Sequence, residues 1–370
     1  MPMKRTITFC LALVLLAGLA WAAGDESDPV VSLSYLEQNF TADVKAEANR
    51  RVSSELGAAY RDSLRNLQDH RAGLRLEALR DAAQTDRRYA GRMLCKRGDV
   101  LTLLPGCKLT VKYGSIAPNG ALLSDVSHGQ AVPSGTALSP ETLYMAGGAC
   151  ELTVATASCE VTVNGVYRLS PSAEPDYGSM AAALDEMGLF QGAGARTGYN
   201  LEAGASRAEA LVMFLRALGL EDEALAYEGS CPFTDVPASH WAQRYVAYAQ
   251  SKGLTAGTGP NRFSPDEAIT CQQYGTFLLR ALNYREGTDF HYDSALADLV
   301  SLGLFSGAET DSLSAGRFRR YQMVYLSYRA LFGADQESGR LLMNRLVYDG
   351  SAETAALARG LELVIGGPIR

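Results

Sequence analysis

The chain has 370 residues, 47% of them apolar, with four histidines and a formal net charge of −7. The acidic balance excludes a non-specific nucleic-acid binder. The histidines (His70, His128, His240 and His291) are scattered, without H-E-x-x-H or a comparable spacing, so no metal site or cofactor is expected.

Lys4 and Arg5 precede an apolar run over 7–19, and Ala20-Trp21-Ala22 supplies small residues for cleavage. This pattern predicts a signal peptide over 1–22. The run is short for a membrane anchor, and no later stretch is long or apolar enough to span a bilayer. Loss of Lys4 and Arg5 takes the formal charge to −9. Cys10 leaves with the leader, and Cys95, Cys107, Cys150, Cys159, Cys231 and Cys271 remain. An even number in an exported chain permits disulfides. Cys95 with Cys107, and Cys150 with Cys159, are close enough in sequence to staple the middle region, and Cys231 with Cys271 to bridge a later one. Bridges or buried thiols are both compatible with the sequence.

Over 28–93 the chain is helix-forming and charged. Leu36, Phe40, Val44, Ala48, Val52, Leu56, Tyr60 and Leu64 recur every fourth residue. A step of four drifts about 40° on an α-helix, so the stripe winds, and a helical spacer or hairpin broken near Gly57 and Gly73 is expected. Over 94–169, runs such as Lys108-Leu-Thr-Val-Lys-Tyr113 and Glu160-Val-Thr-Val163 alternate in β-branched residues. They predict a small all-β domain with a tight turn at Asn164-Gly165. It serves either as a spacer or as a ligand face. Ser170-Pro-Ser-Ala-Glu-Pro175 then reads as a linker.

The informative region is 176–332. Arg216-Ala-Leu, Arg280-Ala-Leu and Arg329-Ala-Leu end three equivalent helices, and Gly188-Leu-Phe-Gln-Gly192, Gly253-Leu-Thr-Ala-Gly257 and Gly303-Leu-Phe-Ser-Gly307 precede them in the same order. In the middle copy Tyr274, Phe277, Leu278, Ala281 and Leu282 make one apolar stripe. One such unit cannot close a core alone, so three copies (176–220, 233–284 and 290–332) predict an all-α module with pseudo-three-fold symmetry. Ser206 with Glu209, and Thr270 with Gln273, have the spacing of capping boxes. Arg207 lies one residue inside its helix, where a cation opposes the helix dipole. Either a salt bridge within the module or an anionic ligand accounts for it. No G-x-S-x-G elbow or paired carboxylates stand out, so an enzyme is not expected.

Phe233-x-Asp235-Val236, His240-Trp241-Ala242, Lys252-Gly253-Leu254, Phe263-x-Pro265-Asp266, Ile269-Thr270 and Ser206-Arg207-Ala208-Glu209 resemble the S-layer homology domain family. The resemblance implies a three-fold prism whose grooves hold an acidic secondary cell-wall polysaccharide non-covalently at the bacterial surface. It points to Arg207, Arg320 and Trp241 as polymer-binding residues, with Asp235, Gly192, Gly257 and Gly307 lining grooves. The middle copy has Cys271 where the other two have arginine. Trp241 is alternatively a core residue. After 332 a charged helical tail over 333–370 has no L-P-x-T-G signal. The expected protein is therefore multidomain α+β: helical segment, small all-β domain and all-α repeat module. It is held on the cell wall by its repeats, in company with surface-layer proteins. The alternative is a structural or protein-interaction component in which the repeats are scaffold.

Overall fold

The computed structural model describes residues 86–365, apart from 121, 192–197 and 351, and isolated positions at 44, 51, 70, 73, 74 and 77. The expected leader, most of the 28–93 helical segment, and Gly192 lie outside the described residues; the described end of that segment, 87–93, is strand and not helix. Every strand and helix named below belongs to one compact unit within Ser53–Arg370.

Strands β1 (Arg87–Lys96), β2 (Val100–Leu103), β3 (Lys108–Tyr113), β4 (Ile116–Pro118), β5 (Leu123–Asp125), β6 (Gln130–Ala131), β7 (Leu143–Ala146), β8 (Cys150–Val154) and β9 (Ser158–Ser170) form one antiparallel sheet. Its order is β4-β8-β2-β9-β3-β7-β5-β6, with β1 paired to β9. The sheet curls into a half-barrel. Alternate residues such as Leu101, Leu103, Leu109, Val111, Leu152, Val154, Val161 and Val163 bury on its inner face, the two-residue period of a half-buried strand.

The helices that follow are α1 (Tyr177–Glu186), α2 (Arg207–Ala217), α3 (Glu221–Ala226), α4 (Gln243–Ser251), α5 (Cys271–Ala281), α6 (Ala295–Ser301), α7 (Gly307–Ser314), α8 (Arg320–Ala330), α9 (Leu342–Tyr348) and α10 (Thr354–Ile365). Helices α2, α5 and α8 occupy equivalent places, each leaning on the next copy. The Arg207 and Ala208 amides donate to the Glu267 and Pro265 carbonyls. The Arg320 and Tyr321 amides donate to Ala203 and Leu201. Tyr274 of α5 shares a 2.7 Å hydrogen bond with Ser327 of α8. Phe214 and Phe277 stack at 5.3 Å in the shared core. After residue 332 the chain stays packed: Leu341, Leu342, Met343 and Leu346 are buried, and Arg359 of α10 bonds Glu186 of α1 at 2.5 Å.

The expected division into a small all-β domain and a separate all-α module is overturned. The sheet is large, with nine strands, and helices pack directly against it. Arg97, in the turn between β1 and β2, bonds Glu202 at 2.7 Å and stacks on Tyr321 at 4.6 Å. The expected linker is pinned as well, because Lys96 donates to the Ser172 carbonyl at 2.6 Å and Asp99 accepts from the Ser172 amide at 2.8 Å. The physical reason is that β1 pairs with a strand far along the chain, Arg87 opposite Tyr167. Strands as short as β4, β5 and β6 show no period in sequence.

Two further expectations change. Asn164-Gly165 makes no turn; both residues lie within β9. Gly165 is required there because a Cβ would stand 2.7 Å from Cys107 Cα. The six cysteines after the leader are free thiols. Cys95 lies opposite Cys159, whereas Cys107 sits beside Gly165, six residues further along β9 and so about 20 Å away. Cys150 is opposite Leu103, itself opposite Tyr167, remote from Cys159 for the same reason.

Candidate functional site

Helix α2 begins with a complete capping box: the Ser206 hydroxyl accepts from the Glu209 amide at 3.2 Å, and the Glu209 carboxylate accepts from the Ser206 amide at 2.8 Å. Thr270 and Gln273 make the same reciprocal pair at the start of α5. At the start of α2 the Arg207, Ala208 and Glu209 amides are therefore engaged within the protein. Only the arginine side chain is left to meet a ligand.

Arg207 is 5% exposed. Its guanidinium lies 4.9 Å from the Phe263 ring centroid and 5.3 Å from that of Phe277. Nε has no hydrogen-bond partner among the described residues. Burial, then the nearby charge of Arg280, depresses the guanidinium to about 10, with Tyr292 and Glu267 acting in the opposite sense. An arginine taken from water without a carboxylate is costly, and two aromatic faces offset only part of that cost. Perturbed, unsatisfied charge of this kind marks candidate binding sites.

The equivalent positions differ. Arg320 starts α8, but its guanidinium donates to the Tyr199 carbonyl at 3.2 Å, the Gln191 carbonyl at 3.4 Å and Met213 Sδ at 3.5 Å, and lies over Phe190. Each of its three nitrogens thus already donates to a group between Gln191 and Met213. Cys271 starts α5 as a buried thiol, pushed up to about 11 by burial. The three helix starts are thus chemically unequal.

Trp241 is 56% exposed and is not core. Its indole stacks on His240 at 5.8 Å, and His240 Nε2 lies 3.6 Å from Asp266. Asp266 adjoins Glu267, whose carbonyl holds the Arg207 amide, so one short segment links the exposed indole to the arginine. Asp235 turns inward: its carboxylate accepts from the Phe263 amide at 2.9 Å and the Ser264 amide at 2.8 Å. Burial opposes its charge, but those two amides and Arg262 hold it below the usual carboxylate range. Asp235 thereby positions Phe263 under the guanidinium. Gly257 has φ +76, and a Cβ there would meet the Arg262 carbonyl at 2.5 Å and Phe233 at 2.6 Å; it permits packing within its own copy. Gly307 opens α7 with nothing within 4 Å of a Cβ. The aromatic bed of Phe263 and Phe277 beneath the guanidinium escapes a reading of sequence alone. The Phe-x-Pro-Asp signature contains Phe263 but does not say what its ring touches.

Among the described residues no group of His, Cys, Asp and Glu is placed to hold a metal, and no helix is long and apolar enough to cross a membrane. The family model of the S-layer homology domain matches residues 232–273, the segment that carries Asp235, Trp241, Phe263 and Cys271. The chain therefore contains an S-layer homology domain and is an exported protein of the bacterial cell surface. It is 33% identical over 132 residues to a cell surface protein of Thermoanaerobacter kivui, an alignment covering 35% of this chain and 17% of that protein. It is 33% identical over 151 residues to cell surface glycoprotein 1 of Acetivibrio thermocellus, covering 35% and 6%. The cellulosome-anchoring protein of the same organism is 33% identical over 92 residues, covering 24% and 21%. The chain thus spans only a small part of each of these relatives.

Proposed function

We propose that the protein is anchored non-covalently by its repeat module, and that the groove beside Arg207 takes an acidic group of a secondary cell-wall polysaccharide. The observation that carries this reading is the buried guanidinium of Arg207, which has aromatic faces beneath it and an Nε with no hydrogen-bond partner among the described residues. A ligand carboxylate or phosphate supplies the missing counter-charge through a charge-assisted hydrogen bond. The half-exposed indole of Trp241 offers a face for an adjoining sugar ring. Of the three grooves, the one at Arg207 carries the binding, because Arg320 is held internally and Cys271 has no charge to offer. The reading is of a binding protein rather than an enzyme.

Co-sedimentation of the mature chain with purified sacculi tests it, before and after the non-peptidoglycan polymer is stripped. Pull-down that needs the polymer and is lost in a folded Arg207→Ala chain is the expected result. A folded wild type that stays in the supernatant would make the repeats scaffold.

A further inference from the structure

We propose that the cleft between the sheet and the first repeat is a second binding site, for a neutral saccharide. The cleft measures about 730 Å³ and is walled by the end of β3, the segments at Pro140-Glu141 and Thr156, and the stretch from Tyr199 to Glu202 that leads into α2. Its size falls within the range of small-molecule sites.

The walls are built, not left over. The register of β3 against β9 shifts between Val111 and Tyr113, a bulge that re-aims the side chains of Lys112 and Tyr113. Gly114 follows with φ +88, where a Cβ would stand 2.6 Å from Cys159 Cα. Glu141 and Asn200 both adopt left-handed backbone, with φ 59 and 48, a conformation that non-glycine residues seldom hold outside functional sites and turns. The opposite wall is fixed by contact: a Cβ on Gly198 would lie 2.9 Å from Tyr113 Cζ, so backbone is pressed against that ring.

Charge decides the ligand class. Lys112 is neutralised by Glu141 at 2.7 Å. Glu202 is neutralised by Arg97 at 2.7 Å and Arg319 at 2.9 Å, and also accepts from the Ala157 amide. Among the described residues each charged side chain that lines the cleft is already paired within the protein, so a charged ligand would have to displace one of these pairs. A purely apolar ligand would meet Lys112, Glu141 and Asn200. The half-buried tyrosines 113 and 199 supply ring surface, the Tyr199 hydroxyl being engaged by Asp185 at 3.0 Å. With the exposed Asn200 amide and the Lys112–Glu141 pair at the rim, they match a pyranose: apolar C–H faces edged by hydroxyl groups.

The test is calorimetric titration of the full mature chain with cellotetraose and with tetra-N-acetylchitotetraose. The expected result is saturable binding of one of them. Lys112→Ala/Asn200→Gly, which changes two exposed side chains and keeps a residue that tolerates left-handed backbone, weakens it at least about tenfold. Arg207→Ala leaves the isotherm in place. Absence of binding by both oligosaccharides overturns the proposal, and so does a folded double variant that binds like wild type. Loss of binding in Arg207→Ala would also overturn it, by assigning the sugar to the polymer groove. Because sacculus retention is read separately, failure here leaves the anchoring reading standing.

Discussion

The guanidinium of Arg207 lies 4.9 Å from the ring of Phe263 and is nearly buried, its Nε without a hydrogen-bond partner among the described residues. A group held in this way adds little to the stability of the free protein, since its desolvation is only partly offset. Arg207→Ala is expected to change unfolding stability by no more than about 1 kcal/mol while abolishing polymer-dependent sedimentation. Urea unfolding beside the sacculus assay checks both. A large loss of stability would mean that the arginine is structural.

Arg320 predicts the opposite pattern. Its guanidinium bonds the Tyr199 and Gln191 carbonyls and covers Phe190, so Arg320→Ala leaves two carbonyls short of a donor and uncovers a ring. A loss of about 2 kcal/mol is expected in urea unfolding. Retention on sacculi should be kept under conditions where the variant is folded.

Trp241 stands in solvent beside His240. Trp241→Ala should alter stability by no more than about 0.5 kcal/mol and weaken sacculus binding about tenfold. Indole fluorescence gives an independent readout: the emission should shift to shorter wavelength when soluble polymer covers the ring, and Arg207→Ala should remove that shift.

Asp335 governs the acid limit. It is 2% exposed and accepts from the Ser338 amide at 2.7 Å, the Ser338 hydroxyl at 2.8 Å, the Asn283 side chain at 2.7 Å, and Arg345. Burial opposes its charge, but these partners outweigh it and hold the carboxyl below the usual range. A depressed folded-state pKa gives stability that is complete above the unfolded value, about 4, and lost as pH falls through the folded one. Asp335→Asn should cost about 3 kcal/mol at neutral pH by stranding Arg345. It should also flatten the decline in melting temperature below about pH 4.

Cys95 and Cys159 are directly opposite in the β1–β9 ladder, 2% and 0% exposed. Burial raises both thiols, Cys159 to about 12, so both should resist alkylation in the native chain and react on unfolding. Directly opposed strand residues have Cα atoms about 4.5–5.5 Å apart, within reach of a disulfide. Oxidative refolding and peptide mapping should therefore yield a Cys95–Cys159 link. A Cys95–Cys107 link would contradict this register.

The features legible in sequence are local ones. Ser206 with Glu209 and Thr270 with Gln273 are capping boxes because both partners lie within one turn, where three-residue spacing suffices to bring them together. Asn164-Gly165 carries a turn signal and yet makes no turn, because the same dipeptide also fits where a strand must pass close to other backbone. The approach of Cys107 from another strand is invisible in a window of ten residues.

By itself the sequence determined the address at the cell surface and where the helices at Arg207, Cys271 and Arg320 begin, since these depend on short spacings. It presents Arg207 and Arg320 as equals. Only the tertiary structure separated them, placing one on Phe263 and Phe277 with its Nε unpartnered among the described residues and the other among the carbonyls of Gln191 and Tyr199. The tertiary structure also decided that the sheet has nine strands and that helices seal against it, leaving the cleft between Tyr113 and Asn200. Both outcomes depend on which distant segments meet, and the free energy of a charge is set by those neighbours rather than by the residue that carries it.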